Sequence, residues 1–207
     1  MININSWIPY SEVLGPGLRA VVWLQGCSRD CVGCISPEMR PNIPVSQIDP
    51  VDLARFIIEI PGLDGVTVSG GEPFDQPEPL RLFLESIKCL SSLNTMVYSG
   101  YKIEELTEDM MKSRCLEYTD LLVDGPFQIE LETRLWRGSL NQRFCSPSGR
   151  FSDQILRYWA SKVQDKVEFR IHKDRIFTIG IPERTFLEKF RRKLREEGIF
   201  MEAGSNE

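Results

Sequence analysis

The sequence predicts an α/β fold in which parallel strands alternate with outer helices and form an incomplete barrel. Short apolar, β-branched segments alternate with longer segments of helical periodicity, which is typical of parallel strands joined by crossover helices. The most distinctive loops follow the predicted strands, as expected when a site lies at the carboxyl ends of the strands. The chain has 207 residues, a length that suits an incomplete barrel better than a full eight-stranded one.

The predicted elements follow one another in a regular order. Strands are predicted at short apolar runs, which span residues 18–24, 65–69, 95–98 and 120–124. Helices are predicted where apolar residues recur with helical spacing, over residues 49–60, 77–90 and 102–115. Asp49 followed by Pro50 is a typical helix start. We expect the proline-containing residues 36–48 to form an irregular connection.

The pattern changes after residue 126, within what we interpret as a single domain. Residues 15–126 form the predicted core, and residues from about 127 to about 200 form a C-terminal extension. Within the extension we predict a helix, a strand pair and a closing helix, over residues 153–163, 167–171 with 175–179, and 182–197. Residues 201–207 are predicted to be a frayed tail.

Composition and charge argue against several classes of protein. The net charge is −5, whereas nucleic-acid-binding proteins usually carry a basic face. No apolar run is long enough to span a bilayer, and residues 1–13 lack the pattern of a signal peptide. The 6 cysteines without a secretory signal suit a reducing compartment. We therefore expect a cytoplasmic protein that binds neither nucleic acid nor membranes.

Three cysteines, Cys27, Cys31 and Cys34, have the spacing C-x3-C-x2-C directly after the first predicted strand. Thiolates on one short loop suit a metal that accepts sulfur ligands. Structural zinc usually takes four ligands in paired sets, but the only histidine is His172 and the other cysteines are isolated in the sequence. Four-iron clusters are normally held by four thiolates, so three would leave one iron open for catalysis. A chance grouping of cysteines and an incomplete zinc site are the alternatives at this point.

These residues resemble those of a known family. C-x3-C-x2-C is the cluster signature of the radical S-adenosylmethionine (SAM) enzymes. The upstream segment Gly15–Arg19, with Trp23 and the run Gln25–Cys27, is similar to the opening of the glycyl-radical-enzyme activases. Those include the activators of pyruvate formate-lyase and of anaerobic ribonucleotide reductase. The chain differs from the usual activase pattern at Trp23, where Phe is commoner, and at Ser36, where Asn is usual.

The resemblance implies a 4Fe-4S cluster on Cys27, Cys31 and Cys34, with SAM on the open iron. It also implies a set of cofactor-binding residues: Gly33, Ile35, Gly70, Gly71, Glu72, Pro73, Ser99 and Asp124. The Gly-Gly-Glu-Pro stretch would lie against the methionine part of SAM, because glycines expose backbone carbonyls to an ammonium group. Taken alone, the stretch also fits a strand-to-helix turn, and Ser99 and Asp124 fit turn caps.

The activity implied by the resemblance is reductive cleavage of SAM to a 5′-deoxyadenosyl radical, with an electron from a flavodoxin- or ferredoxin-like donor. The radical would take a hydrogen atom from a backbone glycine of a partner glycyl radical enzyme. Two alternatives are direct modification of a peptide or small molecule, and a non-catalytic iron–sulfur electron carrier or sensor. The segment Trp136–Arg143 resembles the ribonucleotide-reductase branch. We interpret it as a structural loop or as a brace for the partner or the SAM pocket.

Overall fold

The computed structural model describes residues 1–163, 166–172, 175–183 and 185–199. The predicted tail, residues 201–207, lies outside these residues. The strands are β1 (Ile2–Ser11), β2 (Arg19–Leu24), β3 (Ser46–Ile48), β4 (Gly65–Gly70), β5 (Asn94–Tyr98), β6 (Leu121–Asp124), β7 (Arg143–Cys145), β8 (Glu168–His172) and β9 (Arg175–Ile179). The helices are α1 (Pro50–Ile58), α2 (Pro77–Leu90), α3 (Ile103–Glu108), α4 (Met110–Leu116), α5 (Asp153–Ala160) and α6 (Phe186–Glu196). No helix in the described ranges combines the length and apolar character needed to cross a membrane.

The described strands form one large sheet and a separate hairpin. The sheet has the order β3-β1-β2-β4-β5-β6-β7. Its central strands β2, β4, β5 and β6 pair in parallel, and β1, β3 and β7 add antiparallel strands on the two sides. Strands β8 and β9 pair only with each other. The carboxyl ends of β2, β4 and β5 therefore lie side by side, and the incomplete barrel stays a prediction.

The main core lies between the sheet and its helices. Side chains of β2 and β4, such as Val22 and Val68, are fully buried together with the apolar stripe of α2. That stripe includes Phe83, Leu84 and Ile87, which recur with helical spacing. Burial of these side chains fixes α2 on one face of the sheet and holds the parallel strands in register.

The prediction of one helix over residues 102–115 is wrong, because the segment divides into α3 and α4. Asp109 separates them, with φ −92° and ψ 114°, outside the helical region. Its carboxylate accepts hydrogen bonds from the backbone N–H groups of Met111 and Lys112 at 2.9 and 3.1 Å. Asp109 is thus the N-cap of a new helix, which interrupts the helical pattern.

Three strands were not predicted. Residues 46–48, in the segment expected to be irregular, form β3 and pair with β1. β1 itself pairs with β2 along most of its length, and β7 pairs with β6. In the extension, α5 ends at Ala160, earlier than predicted.

The β8–β9 hairpin is attached to the amino-terminal part of the sheet. Ile179 and the following Ile181 are buried against Val13 and Val21. The backbone N–H of Glu12 donates a hydrogen bond to the Glu168 carboxylate at 2.7 Å. This contact extends the wall of a cavity that begins at the carboxyl ends of the central strands.

Candidate functional site

A cavity of about 840 Å³ lies at the carboxyl ends of β2, β4 and β5. The loops after these strands contribute the residues predicted to bind cofactors: Cys27, Cys31, Cys34, Ile35, Gly70, Gly71, Glu72 and Ser99. The hairpin contributes a further part of the wall with Arg170, Ile171 and residues 177–182. One cavity therefore joins the cysteine loop, the Gly-Gly-Glu stretch and the C-terminal extension.

Backbone hydrogen bonds fix the start of the cysteine loop. The N–H groups of Gly26 and Cys27 donate to the carbonyl oxygens of Met39 and Arg40 at 2.8 and 3.0 Å. Gly26 has φ +100°, a conformation that L side chains rarely adopt. The loop thus turns sharply after β2 and pairs with the segment that follows the last cysteine.

The three thiols of the loop are free and half-buried. Burial raises the pKa of Cys27 to about 11, and the nearby carboxylates of Glu72 and Asp75 act in the same direction. Among the described residues, no group of three or more His, Cys, Asp or Glu side chains surrounds a single metal position. In a four-iron cluster each thiolate binds a different iron, so the sulfur atoms need not converge on one point.

The Gly-Gly-Glu-Pro stretch is tied directly to the cysteine loop. The N–H of Gly71 donates to the Leu24 carbonyl at 2.8 Å, and the N–H of Glu72 donates to the Gly26 carbonyl at 2.9 Å. A Cβ on Gly71 would collide with the Gly26 carbonyl. Glycine is therefore required at position 71 for this close approach of two loops.

Glu72 is only 1% exposed, and its carboxylate joins its own loop to the loop after β5. One oxygen accepts from the Phe74 N–H at 3.1 Å and the Ser99 hydroxyl at 2.9 Å, and the other accepts from the Gly100 N–H at 2.7 Å. Burial raises its pKa to about 7, although these donors act in the opposite direction. The site thus contains a desolvated carboxylate that can titrate near neutral pH.

Glu72→Gln should change how stability depends on pH. The native protein keeps the Glu72 proton up to about pH 7, whereas the unfolded chain releases it near 4.5. The stabilisation by this group is therefore present at low pH and is lost as pH rises through that window, by about 3 kcal/mol. Urea unfolding of the metal-free protein should show Glu72→Gln gaining stability relative to wild type between about pH 4.5 and 8.

The control is Glu59→Gln, which replaces an exposed carboxylate beyond α1 and should follow wild type at every pH. If the free energies of unfolding of wild type and Glu72→Gln run parallel when plotted against pH, the raised pKa of Glu72 is contradicted.

Of the other predicted residues, Ile35 is among those that line the cavity, whereas Gly33, Pro73 and Asp124 are not. Ile35 is 57% exposed. Gly33 turns the loop with φ +67°, and Pro73 is buried at the start of a short 3-10 helix. The Asp124 carboxylate accepts from the Ile103 N–H at 2.7 Å and from Arg143. Asp124 joins β6 to α3 in this arrangement, and its contact with a cofactor stays a prediction.

The segment Trp136–Arg143 forms part of the cavity wall, since Gly138 and Gln142 line the cavity. The Arg137 guanidinium donates to the carbonyls of Gln142 and Ala160 at 3.0 and 2.7 Å. The Gln142 side chain accepts from the Gly138 N–H and donates to the Gly125 carbonyl. These bonds connect the end of β6 to α5, and both the structural role and the role as a brace of the SAM pocket or partner stay predictions.

Asp75, which links the cysteine loop to the loop after β5, was missed by sequence analysis. The Asp75 carboxylate accepts from the N–H and the hydroxyl of Ser28 at 2.6 and 2.9 Å, and from the Tyr101 hydroxyl at 3.1 Å. The Arg29 guanidinium lies 4.5 Å from the centre of the Tyr101 ring. Asp75 follows the Gly-Gly-Glu-Pro stretch by two positions, and that proximity is the signal that could have drawn attention to it.

Comparison with known proteins identifies the family. The model of the 4Fe-4S single cluster domain matches residues 13–145. The chain belongs to this family. Among similar proteins, one from Haemophilus influenzae is 30% identical over 151 residues, which is 68% of this chain and 96% of that protein. One from Escherichia coli is 29% identical over 153 residues, with the same two shares of 68% and 96%.

Another similar protein, from Enterobacteria phage T4, is 28% identical over 151 residues, covering 70% of this chain and 94% of its own length. All three are named anaerobic ribonucleoside-triphosphate reductase-activating protein. They confirm the predicted resemblance to that group of activases. The matched residues 13–145 of this 4Fe-4S family member end before α5, the hairpin and α6.

Proposed function

We propose that this chain is a radical SAM enzyme that activates a partner glycyl radical enzyme. The observation that carries the proposal is the shared cavity of Cys27, Cys31, Cys34 and the Gly70–Glu72 loop. Membership of a 4Fe-4S family supports the cluster. Relatives that are named activating proteins of anaerobic ribonucleoside-triphosphate reductase support the choice of partner.

The residues of the cavity fit a cluster with one open iron. The three thiols are free and reach the cavity, while Cys89, Cys115 and Cys145 do not line it. The protein would thus supply three of the four thiolates that such clusters normally take. The bent loop of Gly26 and its bonds to Met39 and Arg40 would hold the thiols in a fixed arrangement.

The cavity also offers room and polar groups for a ligand such as SAM. Its whole volume of about 840 Å³, which includes the space beside the thiols, is within the range of small-molecule sites. The Tyr98 hydroxyl lies at the cavity and has no hydrogen-bond partner among the described residues. Glu72 and the carbonyls of Gly70 and Gly71 offer acceptors for an ammonium group. Ser99 and Gly100 hold the Glu72 carboxylate in place for this role.

When bound, the reduced cluster would supply the electron that cleaves SAM to methionine and a 5′-deoxyadenosyl radical, which takes hydrogen from a partner glycine. The chain itself would bind the cluster and SAM, orient them and shield them from water. The loops after β2, β4 and β5 are locked together by hydrogen bonds, so their donors and acceptors are positioned before the ligand arrives. The electron would come from a flavodoxin- or ferredoxin-like donor.

The test is an assay under anaerobic conditions with reconstituted protein, dithionite and SAM. The proposal expects methionine and 5′-deoxyadenosine in equal amounts. If the protein contains a reducible cluster and forms neither product, it is a non-catalytic iron–sulfur carrier or sensor. If the protein cleaves SAM, addition of an anaerobic ribonucleotide reductase should give a glycyl-radical signal in the electron paramagnetic resonance (EPR) spectrum. Activation would be contradicted if SAM is cleaved but no anaerobic ribonucleotide reductase encoded in the same genome gives the glycyl-radical signal when it is added.

Gly71→Ala should lower the rate of SAM cleavage by about 10- to 100-fold, because the added methyl group pushes the Gly-Gly-Glu loop away from the cysteine loop. Product formation measures the effect, and the visible absorption of the cluster shows whether iron is retained. Glu59→Ala is the control, since Glu59 is exposed beyond α1 and does not line the cavity. Equal rates for Gly71→Ala and wild type would mean that the contact of the two loops is unimportant.

A second candidate function is direct modification of a peptide or small molecule. It is favoured by the hairpin, because Arg170, Ile171 and residues 177–182 line the cavity and lie outside the family match of 13–145. An added wall narrows the choice of molecules that can enter. Radical transfer to a small substrate, with no radical on a partner protein, would support this function over activation.

A further inference from the structure

Arg40 is a cation beside the cysteine loop for which the proposed reaction has no role so far. Its backbone carbonyl accepts from the Cys27 N–H at 3.0 Å, and the residue lines the same cavity as the three cysteines. The Nε atom of its side chain is buried and has no hydrogen-bond partner in the described part of the chain. The Nε–H group is therefore a donor without a partner in that part of the chain, on a residue that lines the same cavity as the thiols.

The other edge of the guanidinium is paired with Asp30. An Nη2–H group of Arg40 donates to the Asp30 carboxylate. This bond raises the pKa of Arg40, and the thiols of Cys34 and Cys27 are close enough to act in the same direction. The Asp30 side chain is 94% exposed, whereas that of Arg40 is 37% exposed. Water screens the exposed carboxylate more than the guanidinium, so Asp30 only partly offsets the positive charge of Arg40 at the cysteines, where the carboxylates of Glu72 and Asp75 also act on Cys27.

The charge of a cluster at Cys27, Cys31 and Cys34 becomes more negative by one unit when it accepts an electron. A fixed positive charge nearby stabilises that reduced form more than the oxidised form, and a fixed negative charge does the opposite. Net charge and hydrogen bonds to the sulfur atoms are among the factors that set the reduction potential of iron–sulfur clusters.

We propose that Arg40 raises the reduction potential of the cluster held by Cys27, Cys31 and Cys34, and that Asp30 weakens this effect. The inference rests on the proposed function, because it requires a cluster at these cysteines. The Asp30–Arg40 pair would thus control how readily an external donor delivers the electron to the cluster.

The test is a potentiometric titration of the reconstituted wild-type protein and its variants, without SAM, followed by the EPR signal of the reduced cluster. Arg40→Gln should lower the midpoint potential by about 59 mV, which is a tenfold change in the equilibrium constant of a one-electron reduction. Asp30→Asn should shift the potential in the opposite direction and by less, since Asp30 is exposed. Arg40→Lys keeps the charge and should stay near the wild-type value.

The matched control is Arg55→Gln, in an exposed ion pair with Asp52 on α1. It makes the same change in net charge outside the cavity and should leave the potential unchanged. An Arg40→Gln shift no larger than that of Arg55→Gln would overturn the inference while leaving the cluster in place. An Arg40→Lys shift equal to that of Arg40→Gln would also overturn it, because charge would then not be the cause. A wild-type protein that takes up no cluster would overturn the proposed function and this inference together.

Discussion

A Cys31→Ala protein should form neither methionine nor 5′-deoxyadenosine above background when it is reduced in the presence of SAM. Among the residues that the structure describes, Cys31 is one of three thiols that reach the cavity, so its loss leaves two protein ligands for a cluster. Two thiolates cannot hold a four-iron cluster in the arrangement that leaves a single iron open. The expected loss of activity is complete, and it should be accompanied by loss of the brown colour of the protein.

The fold itself should survive this change. Cys31 lies on a half-buried loop outside the hydrophobic core, so removal of its sulfur leaves the packed apolar groups intact. Cys89→Ala is the matched control, because Cys89 is an exposed thiol on α2. It should retain the cluster and full activity. A Cys31→Ala protein that still cleaves SAM would exclude the proposed set of ligands.

Arg19→Ala should destabilise the protein by about 3 to 5 kcal/mol, the largest effect on stability that we expect from a single substitution. The Arg19 guanidinium is fully buried at the start of β2. It donates to the Thr67 hydroxyl at 2.7 Å, to the Val66 carbonyl at 2.7 Å and to the Asn94 side chain. Burial lowers its pKa to about 9, so the group stays charged at neutral pH.

Loss of Arg19 leaves several buried acceptors without donors and opens a space between β2, β4 and β5. Urea unfolding of the metal-free protein measures the effect. Arg114→Ala, at an exposed position of α4, should change the free energy of unfolding by less than about 0.5 kcal/mol. A loss from Arg19→Ala of about 1 kcal/mol or less would mean that the buried network contributes little to the fold.

The positions of the central strands could be predicted from the sequence because they are short, apolar and rich in β-branched residues. Val21 and Val22 in β2, and Val66 and Val68 in β4, carry that signal and are fully buried. The antiparallel strands differ from them. β1 alternates apolar and polar residues over Ile2–Asn5, with Ile2 and Ile4 buried, a strand pattern that the prediction overlooked. The edge strands β3 and β7 are three residues each and are held by pairing with β1 and β6, which leaves little local pattern to detect.

The same distinction applies to the candidate site. The cysteines and the Gly-Gly-Glu-Pro stretch carry recognisable motifs, and the loops that hold them line one cavity. Arg40 and the hairpin carry no motif, and only the folded chain brings Arg170 and Gly180 to the cavity of Cys27. Ser99 was predicted to contact a ligand, and in the structure its hydroxyl donates to Glu72. A single polar residue at a strand end predicts a site better than it predicts a particular contact.

The arrangement of one open iron beside a SAM pocket is tested most directly by the Mössbauer spectrum of protein reconstituted with iron-57, recorded before and after addition of SAM. We expect a 4Fe-4S spectrum in which about a quarter of the iron becomes distinct when SAM is added, because three thiolates from Cys27, Cys31 and Cys34 leave one iron for the ligand. A spectrum that SAM leaves unchanged, or a protein that binds zinc in place of iron, would contradict the arrangement of one open iron beside a SAM pocket.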